Sequence, residues 1–226
     1  VNIVVHIIKT IPEIQHELIN EYKDQSTATV HEAMGRRGAM TSSIKPIKKG
    51  IKICGQALTV DMPAGDNLML IKAVSMAKKG QIIVINNGNV VDSGPFGEVL
   101  AVECMTKGVA GLVTSGSIRD SQAVTNLGFG VFASGLSIIG TTKAAAGKIN
   151  HSITCGNVVV NPGDIILGDD DGIVVVPLGE ARDVLKAAKQ RDAKEADIMQ
   201  QLKTGASLFD LYNYQNIIDQ LNITEE

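Results

Sequence analysis

Arg119 and Asp120 stand side by side at the end of KGVAGLVTSGSIRD, and Glu98 stands in GPFGEVLA with twenty residues between it and Arg119. A guanidinium presents a planar fork of donors that matches a carboxylate in bidentate fashion. Two carboxylates supply the hard oxygen donors that Mg2+ and Mn2+ take while keeping several waters. Both places follow an apolar run, QIIVIN or VAGLV, and lead into a helical pattern. That is where an open α/β sheet gathers its ligands. Amides of Gly97, Glu98, Val99 and Leu100, unpaired at a helix start, could hold an anionic group that Arg119 also grips. Glu98 and Asp120 could share a divalent cation. An aspartate in a helix's first turn is also an ordinary device for meeting the helix dipole, so on spacing alone both readings of Asp120 stand.

Strand-to-helix units must position these residues. QIIVIN, a helix from about Gly97 to Lys107, VAGLVTS, a helix from about Arg119 to Leu127 and GVFAS form a β-α-β-α-β succession, which implies a partly parallel sheet with right-handed crossovers. Upstream, IKICGQALTVDM predicts a strand, and PAGDNLMLIKAVSMAKKG a loop feeding a helix capped near Asp66 and closed by Gly80. Apolar residues at helical spacing (Ile11, Ile14, Leu18, Ile19, Tyr22) predict a helix over Ile11 to Lys23, and Ser26 or Thr27 caps a second one to about Met34. Beyond Lys143 short runs separated by Gly, Asn, Pro and Asp predict antiparallel hairpins. A long polar helix from about Gly179 to Lys203 follows, and the spaced apolar residues of SLFDLYNYQNIIDQL suit a neighbouring subunit.

Bulk composition narrows the partners. The 226 residues, 44% of them hydrophobic, suffice for a substantial core. A net charge of -3 and 3% aromatic residues without tryptophan argue against a nucleic-acid partner. Three widely spaced cysteines, Cys54, Cys104 and Cys155, with no CxxC pair read as buried thiols in a cytoplasmic setting. The opening VNIVVHIIK is too short to span a bilayer and reads as an N-terminal structural segment, so no membrane role is expected.

Glu98, twenty residues and then Arg119-Asp120 resembles the acidic-X20-Arg-Asp signature of class II pyruvate aldolases in the RraA-like family. These include 4-hydroxy-4-methyl-2-oxoglutarate aldolases that also decarboxylate oxaloacetate. The resemblance runs through STATV (26 to 30), GDN (65 to 67), GPFGE, KGVAGLVTSGSIRD, GVFASG, NPGD and GDDDGIVVVP, roughly residues 26 to 177. It implies an α/β fold, a three-layer β/β/α swivelling-type sandwich with a mixed sheet and peripheral N- and C-terminal helices. One domain would fill 1–226, with its core at 26–177, a helical segment at 1–25 and a helical extension at 178–226. It also implies a homotrimer or homohexamer with sites at subunit interfaces.

Carried over residue by residue, the resemblance implies that Asp120 binds Mg2+ or Mn2+ directly and Glu98 acts through metal-bound water. Arg119 and the Gly97 to Leu100 amides would hold pyruvate, Asn67 and Lys143 would engage the distal carboxylate of a small 2-oxo acid, and Glu195 of an adjacent subunit would approach the metal through water. The implied activity is retro-aldol release of pyruvate and oxaloacetate decarboxylation through one enolate. Some RraA-like proteins instead bind and inhibit an RNA-processing endonuclease, so a ribonuclease partner is the alternative. The Glu98, Arg119 and Asp120 set favours the enzyme, because an interaction module has no need of a metal ligand beside a carboxylate clamp. A methyltransferase would need a glycine-rich nucleotide loop after the first strand, and NNGNVVDSG is not one.

Other polar residues read more simply. His31 in STATVHEAM stands where the family commonly has aspartate, and a lone helical histidine is most often packed or solvated. His6, His16 and His151 have no partner at metal-ligand spacing in the sequence. Asp169, Asp170 and Asp171 lie between two apolar runs and predict a hairpin turn rather than a cation site.

Overall fold

Runs of β-branched residues build the centre of the protein. The computed structural model describes residues 6–223; the first five residues of VNIVVHIIK lie outside them. In chain order come α1 (His16–Lys23), α2 (Thr27–Ala33), β1 (Lys45–Pro46), β2 (Ile53–Asp61), α3 (Leu68–Met76), β3 (Gln81–Asn86) and α4 (Glu98–Thr106). Then follow β4 (Gly111–Thr114), β5 (Ser117–Ile118), α5 (Ser121–Leu127), β6 (Val131–Ala133), β7 (Gly135–Leu136), β8 (Lys148–Ile149) and β9 (Ile153–Cys155). The chain continues with β10 (Val158–Val160), β11 (Ile165–Asp169), β12 (Gly172–Val176), α6 (Ala181–Lys203), α7 (Leu208–Leu211) and α8 (Gln215–Gln220).

The main sheet runs β1-β6-β4-β3-β2-β11-β12, with β8 also paired to β2. β6, β4, β3 and β2 are parallel neighbours, whereas β11, β12, β8 and β1 join antiparallel, so the sheet is mixed. It is also nearly closed. Ala39 bridges Val174 at the β12 edge, and a few residues later Lys45 and Pro46 pair with Ala133 and Phe132 at the other edge. One segment thus spans both ends of the strand order. Gly38 at its start has φ +78, and a Cβ there would collide with the Val175 carbonyl that closes beneath it.

Alternation along each strand sorts the core into an inside and an outside. Leu58, Val60, Ile83, Ile85, Leu112, Val131 and Ala133 pack outward against α3, α4 and α5. Cys54, Ile165, Leu167, Val174 and Val176 pack against α1, α2 and α6, where the buried Tyr22 hydroxyl donates to Ala181 O at 2.7 Å. The opposite parity, including Ala57, Ile82, Val84, Val113, Phe132, Ile166 and Val175, points inward and meets Ile153, Cys155 and Val160 of the β9–β10 hairpin. Where a β/β/α sandwich is expected, the strands form this curled sheet with a hairpin inside it and helices outside. The α/β class, mixed sheet and peripheral helices are as expected.

All three cysteines are free and buried within these layers, as their apolar surroundings in the sequence suggest. Burial is the leading cause that raises the thiols of Cys54 and Cys104 to about 12 and that of Cys155 to about 11. Thiolate is the reactive form, so little of it is present at neutral pH and the cysteines act as small core residues.

Three boundaries differ from the sequence reading: the helix expected to close at Gly80 ends at Met76, because Ala77 is already extended with φ -60 and ψ 142, and two others shift at their starts. The first helix starts at His16 rather than Ile11, because Gln56 holds residues 12–14 as a strap: Ile14 N–H donates to its Oε1 at 3.3 Å and its Nε2 donates to Pro12 O at 2.9 Å. The helix after β4 starts at Ser121, not Arg119, because Ser117 and Ile118 continue extended and pair with β7. The aspartate triplet is a hairpin turn as predicted: Asp169 pairs with Gly172, accepts the N–H and hydroxyl of Thr27, and Asp170 accepts Gly50 N–H. Among the described residues no helix is long and apolar enough to cross a membrane.

Candidate active site

β3 and β4 end side by side, and the chain beyond each supplies half of the site. After β3 the backbone loops to Gly97, the N-cap of α4, in an extended conformation with φ -151. Within α4 the hydrogen-bond ladder starts with Ala101 N–H donating to Gly97 O at 3.0 Å, which leaves the Val99 and Leu100 amides available to a ligand, whereas the Glu98 amide is taken by Asp120 Oδ2. After β4, β5 carries the chain to Arg119, whose N–H donates to Phe96 O at 2.9 Å. The two strand ends are thereby tied together.

Asp120 has φ 54 and ψ 34, a left-handed conformation that costs a non-glycine residue on the order of 1 kcal/mol. It occupies the N-cap of α5 yet makes no side-chain cap there. Its Oδ2 instead accepts Glu98 N–H at 3.2 Å and lies 3.7 Å from Arg119 Nε. The side chain thus makes no hydrogen bond to its own helix: the carboxylate is turned across to the first amide of α4, where it meets a helix N-terminus all the same. Arg119 and Asp120 side chains remain 46% and 44% exposed, so solvent or a ligand reaches both.

Glycine is required beneath this pair. A Cβ on Gly97 would collide with Asp120 Oδ2 and come within 3.0 Å of Arg119 Cγ, and one on Gly94 would come within 2.8 Å of Arg119 Cβ. The arginine stem thus lies flat over two glycines. The terminal guanidinium nitrogens make no ion pair among the described residues, and a Cβ on Gly140 would stand 3.8 Å from one of them.

The remaining expected residues fall in three groups. Asn67 is the N-cap of α3 and is buried, with Nδ2 donating to Pro95 O at 2.9 Å, two residues before Gly97. Lys143 is exposed on the segment held beside Asn67, whose N–H donates to Thr142 O at 3.0 Å. Val99 is exposed and Leu100 half-buried in the first turn of α4. Glu195 is not brought to this site within one chain: it pairs with Arg191 at 2.8 Å and lines a cavity with Glu32, Arg36 and Tyr212.

Histidines show no ligand set. His31 Nδ1 donates to Arg37 O at 2.9 Å, a packing role. His6 and His151 meet edge to face with centroids 5.2 Å apart, a pairing that their sequence separation hides. Among the described residues no three His, Cys, Asp or Glu side chains converge as a metal cluster.

Residues 27–175 match the RraA-like family, described as Aldolase/RraA. The chain belongs to the RraA-like family. A protein of Halalkalibacterium halodurans named "Putative 4-hydroxy-4-methyl-2-oxoglutarate aldolase" is 35% identical over 179 residues, 79% of this chain and 85% of that protein. A crystal structure of an uncharacterized Pseudomonas syringae protein superposes with a TM-score of 0.80 at 23% identity, over 89% of this chain and 95% of that one. A Streptomyces coelicolor protein described as an unusual member of the RNase ES inhibitor RraA protein family gives 0.74 at 24% identity, over 84% and 99% of the two chains. Those two likenesses establish the fold.

Two residues beside this candidate site have surroundings that the sequence does not report, although Asp66 is legible there as a residue near the start of α3. Gly94 matters only through the close approach of Arg119, and Asp66 through bonds to a segment 76 residues away. The GDN and GPFGE stretches carry both residues. Folding is what assigns them a task.

Proposed function

We propose that this chain is a divalent-metal-dependent carbon-carbon lyase, releasing pyruvate from 4-hydroxy-4-methyl-2-oxoglutarate-type acids and decarboxylating oxaloacetate. The observation that supports it most is the strained Asp120, turned from its own helix to the start of α4 beside Arg119. Family membership and the 35% identical relative named as an aldolase support the same reading.

The donor set suits Mg2+ or Mn2+. Asp120 with Glu98 offers carboxylate oxygens only, too few for a closed cage, which suits a cation that keeps waters and takes substrate oxygens. Asp120 would hold the ion and Glu98 would reach it through water, with Glu195 of an adjacent subunit as a further contributor in a trimer or hexamer. When bound, the ion would stabilise negative charge on the 2-oxo oxygen.

The chain's own groups account for the rest. The Gly97, Val99 and Leu100 amides and the Arg119 fork bind the pyruvyl carboxylate and hold the scissile bond in place, while the Glu98 amide, expected in the same cradle, is held by Asp120 instead. Arg119 also faces the charge that develops as the carbon-carbon bond breaks, where a fixed cation lowers the barrier. In aldol cleavage the distal hydroxyl must lose a proton, and Glu98 orients a water to take it. Decarboxylation has no such proton.

The test is pyruvate release, coupled to lactate dehydrogenase, from oxaloacetate and from 4-hydroxy-4-methyl-2-oxoglutarate, with Mg2+, with chelator and with Arg119→Ala. A blank corrects for spontaneous oxaloacetate loss. Metal-dependent release that the substitution abolishes supports the reading. Silence with both substrates overturns it and favours a protein-binding role.

A further inference from the structure

Asp66 accepts four side-chain hydrogen bonds, more than any other carboxylate among the described residues, and is 3% exposed. One comes from Leu68 N–H at the start of α3, at 2.9 Å. The other three come from a single distant segment: the Thr142 hydroxyl at 2.7 Å, Ala144 N–H at 2.6 Å and Ala145 N–H at 3.1 Å. Lys143 sits between those donors. Between β7 and β8 the chain forms no helix and no paired strand beyond the single Asp66–Thr142 bridge. Thr142, Lys143 and Ala144 are exposed, so burial does not fix them.

The same segment is tied to the site at its other end. Ser137 N–H donates to Ile118 O and Gly94 N–H donates to Ile139 O, at 2.9 and 2.8 Å, and a Cβ on Gly140 would stand 3.8 Å from Arg119 Nη1. The residue after Asp66, Asn67, reaches Pro95 O in the loop before the α4 amides. Asp66 is thus the point where the Lys143 segment is fastened to the frame that carries the carboxylate clamp. An ionised carboxylate is the group best suited to accept so many donors at once.

We propose that Asp66 is a positioning residue that holds Lys143 at the rim of the site, and thereby sets the preference for 2-oxo acids bearing a second carboxylate. This rests on the lyase reading above. An ammonium on a flexible four-carbon stem is a mobile point charge, and fixing its backbone on both sides restricts where it can meet an anion. Pyruvate, which has no second carboxylate, does not need it.

Asp66→Asn tests this: Oδ2 accepts Thr142, Ala144 and Ala145 and Oδ1 accepts Leu68, so an amide in either orientation sets an NH2 group against at least one of these N–H groups and weakens the anchor. Hydrogen exchange of residues 142–145 reads the anchor without any substrate, and should accelerate about tenfold or more. KM for oxaloacetate and for 4-hydroxy-4-methyl-2-oxoglutarate should rise about tenfold with kcat within about threefold, the mark of lost binding. Exchange of pyruvate methyl protons with solvent deuterium should keep its rate. In a Lys143→Ala background Asp66→Asn should add less than about twofold, because both act through one side chain. Unchanged amide exchange, an unchanged KM, additivity with Lys143→Ala, or equal loss of the pyruvate exchange would each overturn the proposal. Should Asp66→Asn fail to fold, Thr142→Val removes one of the four bonds; it should raise the same KM by a smaller factor, and no rise overturns the proposal. A wild-type protein that neither releases pyruvate nor exchanges its methyl protons overturns the lyase reading and this substrate preference together, and the amide exchange still decides the anchor.

Discussion

Glu98 N–H donates to Asp120 Oδ2 at 3.2 Å, so the first amide of α4 is held by the carboxylate at the end of the neighbouring strand unit. Gly97 makes this approach possible. Its extended backbone is one that any residue adopts, so Gly97→Ala should leave the fold intact, yet the added methyl would displace Asp120 and the Arg119 stem. A displacement of about 1 Å costs on the order of 100-fold in turnover. We expect kcat/KM to fall by at least that factor while the melting temperature moves little, and retention of near-full activity would sink the assigned geometry.

Asp120 separates stability from activity. Its left-handed backbone is strained, and glycine adopts that region without a Cβ penalty. Asp120→Gly should therefore hold or raise the melting temperature while abolishing turnover and its response to added Mg2+. Thermal denaturation alongside the pyruvate assay checks both halves. A variant that loses stability and activity together would indicate a structural carboxylate.

Arg119 should not tolerate its usual replacement. The arginine stem lies across Gly94 and Gly97 and leaves the planar fork projecting, a geometry that the single ammonium of lysine does not reproduce. Arg119→Ala should lose about 100- to 1000-fold in kcat/KM, as when an oxyanion donor is removed. Arg119→Lys should recover little of that in the same steady-state assay.

Glu98 distinguishes the two reactions. If it only orients a water for the hydroxyl proton, Glu98→Gln should lower aldol cleavage by about 100-fold or more and decarboxylation by far less. Comparing kcat for the two substrates reads this directly. Equal losses would give Glu98 a role common to both reactions.

Much of this arrangement is legible in the amino-acid sequence. The parallel strands QIIVIN and VAGLVTS and the helices after them follow from apolar runs and caps, and they suffice to bring Glu98 near Arg119 and Asp120. The two-residue strands β1, β5, β7 and β8 are not, being too short to show a period. Nor is the left-handed turn at Asp120, since aspartate at a helix start ordinarily caps it. Sheet closure through residues 38–46 is a pairing between distant segments, which no local pattern reports. Asp66 and Lys143 are visible singly, and only tertiary contact joins them.

Asp66 should also shape the acid limit of stability. Burial pushes its carboxyl up, but the bonds it accepts from Ala144, Leu68, Thr142 and Ala145 outweigh this and hold it at about 2. An unfolded aspartate titrates near 3.9, so between about pH 4 and pH 2 the unfolded chain binds more protons than the folded one at this residue. Its contribution is full above about pH 4 and is lost as pH falls through about 2. Asp164 works the other way: burial raises its carboxyl despite bonds from Asn161 and Leu178, so the folded form gains from its protonation as pH falls. Urea midpoints from pH 7 to pH 2 should therefore decline less steeply at the acid end in Asp66→Asn than in the wild type, with the variant less stable at neutral pH. Asp164→Asn should steepen the decline. Parallel curves for Asp66→Asn and wild type would mean that the carboxylate bonds to residues 142–145 do not persist in solution.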